Sequence, residues 1–295
     1  MRGTISLLMF MCLCSVTACA QDMSGNHNHS TPAASPASTD NMVSQEWAKQ
    51  RVEKSPRHRE WVKVKNGARE VNSFVVYPEN KNKATAVIVI HEIFGMSDWV
   101  QSLTDQLAEA GYVAIAPDLL SGMGPNGGGT SSLSGNAVGQ AIQALPPDQI
   151  TADLNAVADY ISKVPASNGK IVVTGYCWGG GQSFRYATNN PNVKAAFVFY
   201  GPAPASADGT PDKAALAKIT APVYGFYAGN DARINATLPK TTEAMTELKK
   251  TFDPVTYEGA GHGFMRAGEA PDANEANKKA RDEAWARWKK ILAGI

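Results

Sequence analysis

From residue 61 onward, short apolar runs alternate with segments whose apolar residues recur every three or four positions. Residues 86–90 (AVIVI) form a continuous apolar run, the pattern of a strand covered on both faces. Residues 113–116, 171–174, 195–200, 223–228 and 255–257 read as further short strands, and 61–64 and 71–77 as edge strands. Val100, Leu103 and Leu107 lie at helical spacing between Asp98, a candidate N-cap, and the stop signal Gly111, which predicts a helix over 98–110. Ile150, Leu154, Val157 and Ile161 predict another over 148–164. A helix begins within 180–187, and 238–251 and 273–293 complete the set. In the last of these, Ala276, Ala280, Ala284, Trp288 and Ile291 form an apolar stripe, expected to pack on a sheet rather than lie on a membrane. Strands alternating with helices call for an α/β fold: a mostly parallel central sheet with helices on both faces, as a single domain over 45–295.

Composition narrows the class. Lys plus Arg (28) nearly cancels Asp plus Glu (27) in 295 residues. A nucleic-acid binder would carry a basic excess to neutralise phosphates, so no nucleic-acid partner is expected. Residues 1–18 place Arg2 ahead of a largely apolar run, 5–14. Those ten residues span about 15 Å as a helix, half of a bilayer core of about 30 Å, which marks an export signal rather than an anchor. Val16-Thr17-Ala18-Cys19 resembles a bacterial lipobox, with a lipid anchor at Cys19; Ala18-Cys19-Ala20 also fits ordinary signal peptidase, leaving a soluble chain from near Gln21. The expected location is therefore periplasmic or membrane-anchored. Residues 19–44 read as a flexible polar tether, because 24–40 contains no Leu, Ile, Val or aromatic residue. His27 and His29 there lack further ligands at defined spacing, so no metal is expected. Either cut removes Cys12 and Cys14, so Cys177 has no intramolecular partner in the folded body.

Gly122, Gly124 and Gly127 satisfy G-x-G-x-x-G, but Pro125 and a Gly/Ser-rich run follow where a dinucleotide site needs a helix, and no cofactor is called for. Residues 121–135 read instead as a mobile loop near a pocket mouth. The strongest chemical signal is Gly175-Tyr176-Cys177-Trp178-Gly179, between a buried strand and a helix. This is a nucleophile elbow with cysteine in place of serine. The turn aims the sulfur at a helix N-terminus, whose dipole favours thiolate. Downstream, Asp231 follows a strand and His262 sits among glycines, in the order nucleophile, acid, histidine. The backbone N–H of Trp178 and that of Ile93, after the 86–90 strand, are candidate oxyanion donors. Glu92 at a buried strand end needs a partner or a proton, and a place beside Cys177 accounts for it. His91 is read as structural.

His91-Glu92-Ile93-Phe94-Gly95, residues 116–119 (APDL), G-Y-C-W-G-G and Gly261-His262-Gly263-Phe264 with Arg266 together resemble the dienelactone hydrolase (carboxymethylenebutenolidase) family, over about residues 61–292. The resemblance implies an α/β-hydrolase fold and a triad of Cys177, Asp231 and His262. It also implies that Glu92 helps activate the cysteine and that Arg266 holds a substrate carboxylate. The family's other carboxylate-binding arginine has no match; neither Arg233 nor Arg185 fits. The expected function is an exported hydrolase of small esters or lactones acting through a thioester on Cys177. The rivals are a catalytically idle ligand-binding or scaffold protein on the same fold, and a thiol redox protein, which would lack a resolving cysteine.

Overall fold

A computed structural model describes residues 44–295. The expected signal sequence, Cys19, His27, His29 and nearly all of the tether lie outside the described residues. In chain order the elements are α1 (Glu46–Glu53), β1 (Arg59–Asn66), β2 (Arg69–Val76), β3 (Ala84–Ile90), α2 (Asp98–Glu109), β4 (Val113–Pro117), α3 (Asn136–Gln143), α4 (Pro147–Lys163) and β5 (Ser167–Tyr176). There follow α5 (Trp178–Asn189), β6 (Val193–Phe199), α6 (Lys213–Leu216), β7 (Val223–Ala228), α7 (Ala232–Asn235), α8 (Leu238–Glu247), β8 (Phe252–Tyr257), α9 (Phe264–Ala267) and α10 (Glu275–Leu292).

The eight strands form one sheet in the order β1-β2-β4-β3-β5-β6-β7-β8. β1 and β2 pair antiparallel, as do β2 and β4. Every pairing from β4 to β8 is parallel. All seven residues of β3 are buried, which its unbroken apolar run requires of a strand covered on both faces. Alternate side chains serve opposite layers: Ala86, Ile88 and Ile90 join the core under α3, α4, α5 and α8, while Val87 and Val89 join the core under α1, α2 and α10. The stripe of α10 packs on this second layer, where Trp288 is fully buried with its ring 5.4 Å from Phe197. β3, β5, β7 and β8 all run in the same direction, so their C-terminal ends open on one edge of the sheet, where such folds bind ligands.

Several local expectations need correction. β2 is an interior strand, flanked by β1 and β4; of the two expected edge strands only β1 is one, and β8 forms the other edge of the sheet. Ser97, not Asp98, caps α2 by accepting from the Val100 N–H, while the Asp98 carboxylate accepts from the Gln45 N–H at 2.8 Å. α1 and α3 had no place in the pattern. Each is short, with two buried apolar residues four apart: Ala48 and Val52, and Val138 and Ile142. The 121–135 segment, expected to be mobile, is tied down. The Asp118 carboxylate accepts from the Thr130 N–H and hydroxyl, both at 2.8 Å, and Arg69 donates to the carbonyls of Leu119 and Ser121. Two turns of 3-10 helix, Pro125–Gly127 and Thr130–Ser132, order what lies between.

Candidate active site

The elbow follows from two glycines. A Cβ on Gly175 would lie 1.9 Å from the Gly179 carbonyl oxygen, and one on Gly179 would lie 2.3 Å from that of His91. Only hydrogen fits at either position, so β5 can turn into α5 within the five-residue motif. Cys177 at its apex has φ 56° and ψ −117°, a conformation costly for a residue with a side chain and held by its surroundings. Its N–H donates to the Phe199 carbonyl at 3.1 Å, and its own carbonyl accepts from the Gly180 N–H at 3.0 Å.

The end of β3 lies alongside. Backbone N–H groups of Trp178 and Ile93 both lie near enough to the Cys177 sulfur to favour its thiolate, so the two candidate oxyanion donors face the same atom. His91 is fully buried; its ring nitrogen Nδ1 lies 2.8 Å from the Glu92 carbonyl and its ring stacks on Trp178 at 5.5 Å. Burial lowers its pKa, so the neutral ring donates from Nδ1 and props Trp178, in keeping with a structural part.

Glu92 is nearly inaccessible and pairs with Arg266, whose Nε donates to Oε2 at 2.7 Å. The Arg266 guanidinium also lies 5.3 Å from the centre of the Phe94 ring. Thus Arg266, expected to hold a substrate carboxylate, engages the protein's own carboxylate here. Arg233, set aside in the sequence, brings its charge close enough to favour the Cys177 thiolate slightly. Arg185 instead donates to the Pro147 carbonyl and the Thr151 hydroxyl.

Asp231 and His262 come from the loops after β7 and β8, and backbone bonds knit those loops together. Gly229 N–H donates to the Tyr257 carbonyl at 2.8 Å, and Asn230 N–H to the Ala260 carbonyl at 2.9 Å. Asp231 caps α7 through Oδ1, leaving Oδ2 to meet His262 Nδ1 at 2.5 Å. The next residue, Gly263, has φ 79°, and a Cβ there would lie 3.7 Å from Glu92 Oε1. The His262 loop therefore reaches the Glu92 carboxylate.

Tyr200, unremarked in the sequence beyond ending a strand, is fully buried with φ 41°. Its ring meets the His262 ring edge-on at 5.0 Å, and its hydroxyl feels the charges of Glu92, Arg266 and Cys177. A tyrosine at the C-terminal end of a buried strand was the available signal.

The electrostatics correct one expectation. The helix N-terminus was expected to favour a thiolate. Burial and the neighbouring Glu92 charge instead push the Cys177 thiol up to about 11, outweighing the two N–H contacts. Among the described residues no group of three or more His, Cys, Asp or Glu is arranged to hold a metal ion.

This sheet, with its site at the strand ends, defines an α/β-hydrolase. The family profile for the dienelactone hydrolase family matches residues 71–295, and the chain belongs to that family. A Saccharolobus solfataricus protein assigned as a carboxymethylenebutenolidase is 31% identical over 258 residues, covering 77% of this chain and 95% of its own. A Salmonella typhi protein with the same assignment is 33% identical over 208 residues, 68% of this chain and 74% of its own. The crystal structure of a Klebsiella pneumoniae protein assigned as a dienelactone hydrolase superposes with a TM-score of 0.70 at 26% identity, covering 81% of this chain and 99% of that one.

Proposed function

We propose that this hydrolase is exported and cleaves small esters or lactones, with Cys177 as nucleophile, His262 as base and acid, and Asp231 as orienter of the imidazole. The reading rests above all on the convergence of the Ile93 and Trp178 N–H groups on a cysteine held at a strained strand–helix turn. The thiol is protonated at rest, so catalysis begins with its deprotonation. Glu92, whose charge acts on the thiol, is held by Arg266. His262 takes the thiol proton, and a substrate carboxylate, where there is one, competes with Glu92 for the Arg266 guanidinium.

The thiolate leaves the two N–H groups and attacks the carbonyl carbon. The carbonyl oxygen gains the electron pair and takes the sulfur's place at those donors, each worth about 3 kcal/mol to the developing oxyanion. The carbon–oxygen bond to the alcohol breaks, and the alkoxide collects a proton from the His262 imidazolium. Water deprotonated by His262 then hydrolyses the thioester and regenerates the thiol. For a lactone, the same sequence opens the ring. Amides are poorer substrates, because thiolate departs from the tetrahedral intermediate more readily than an amine does.

The export signal at residues 1–18 and the lipobox ending in Cys19 support a periplasmic or lipid-anchored location. The test of the chemistry is Cys177→Ala: turnover of p-nitrophenyl acetate should fall to background in a protein that melts normally. A fully active variant refutes the assignment.

A further inference from the structure

Beside Ile93, one of the two candidate oxyanion donors, lies a cavity of about 300 Å³ between the segment after β3 and helix α3. We propose that it receives an apolar substituent of the substrate, so that the enzyme acts on esters or lactones bearing a neutral alkyl or aryl group. The inference rests on the hydrolase reading above and names the substrate class within it.

Position carries the first part of the argument. Ile93 belongs to both places: its N–H lies near enough to the Cys177 sulfur to favour the thiolate, and the residue forms part of the cavity wall. Phe94 also lines the cavity and lies beneath the Arg266 guanidinium. A substrate whose carbonyl oxygen sits at the Ile93 and Trp178 N–H groups therefore has an adjoining group at the cavity mouth.

Chemistry carries the second. The wall is formed by Ile93, Phe94, Val138, Gly139, Gln140, Gln143 and two further uncharged residues. A charged substituent would lose its hydration there with no counter-charge among the lining residues themselves, whereas an apolar one gains by leaving water. The volume is about twice that of an engineered cavity of roughly 150 Å³ that holds benzene.

Gly139 carries the third. It lies inside α3, where glycine is less favourable than alanine, and it faces the cavity. A Cβ there would meet Ile93 Cγ1 at 3.7 Å, an ordinary contact, so close packing does not demand glycine. The missing side chain keeps the cavity open.

The experiment measures kcat/KM on the full-length protein with two ester series. One lengthens the acyl chain over p-nitrophenyl acetate, butyrate and hexanoate. The other lengthens the alcohol over ethyl, butyl and hexyl acetate, and the pair tells which side of the ester enters. In at least one series kcat/KM should rise about fourfold per methylene, the gain from burying one CH₂. Gly139→Leu, which fills the space, should lower the long-to-short ratio in that series about tenfold or more. Gly139→Ala, which fits without a clash, should lower it by a smaller factor. Flat profiles in both series overturn the inference, as does a slope that survives in both variants. A folded wild-type protein that cleaves neither series overturns the hydrolase reading itself, a result distinct from a flat profile with acetate cleaved.

Discussion

Cys177 should titrate as a weak acid despite its place at a helix N-terminus. Burial and the Glu92 carboxylate raise its thiol from an ordinary 9.0 to about 11. At pH 7 about one molecule in 10⁴ then carries the thiolate, against about one in 10² for an ordinary thiol. Iodoacetamide reacts with the thiolate. Its rate at neutral pH should therefore be about a hundredfold below that of a free cysteine, and should climb about tenfold per pH unit toward pH 11. Peptide-mass measurement of alkylation between pH 6 and 11 reads this directly, because it separates Cys177 from Cys12, Cys14 and Cys19. Glu92→Gln removes the second-largest cause of the shift and should move the inflection downward, though not to 9.0, because burial remains. The same shift bears on stability. The folded protein holds the thiol proton more tightly than the unfolded chain. The contribution is full below about pH 9 and is lost as pH rises through about 11. Moving from 9.0 to about 11 corresponds to about 3 kcal/mol. An alkylation inflection at or below pH 8 in the wild type would refute this electrostatic reasoning.

The remaining predictions are structural and cellular. Asp231→Asn should cut kcat by about 10³ or more, since an amide at 2.5 Å from His262 Nδ1 favours the wrong tautomer. Its melting temperature should change little, because asparagine also caps α7; an unchanged kcat would remove Asp231 from the orienting role. Gly175→Ala should lower stability by about 3 kcal/mol or more in urea unfolding, because its Cβ would sit 1.9 Å from a backbone oxygen. A wild-type midpoint would contradict the close approach that shapes the elbow. Mass spectrometry of the membrane fraction should find a lipidated N-terminal Cys19, abolished by Cys19→Ala; an unmodified chain starting near Gln21 would decide for the soluble form.

How much was legible in advance followed the range of the interactions involved. β3 and α4 could be read because their apolar spacing records burial residue by residue: a strand covered on both faces is all apolar, and a helix on a sheet carries one stripe. The elbow could be read because its glycines stand at a fixed spacing around the cysteine, although Gly179 makes room for the end of β3, at Ile90 and His91, rather than for the turn alone. α1 and α3 escaped because two buried residues in eight make too faint a period. The anchoring of 121–135 escaped because it depends on single hydrogen bonds from Asp118 and Arg69, which leave no repeat in the chain.

The amino-acid order alone determined the alternation of strand and helix, the cysteine between glycines, and the sequence of nucleophile, acid and histidine. The tertiary structure alone decided the acidity of that cysteine, the pairing of Glu92 with Arg266 across 174 positions, the edge of Tyr200 against His262, and the cavity under α3. Local steric rules act between neighbours in the chain and so can be read along it. Charge and burial at a point sum over everything folded around it, and that sum exists only once the strands have brought their ends together.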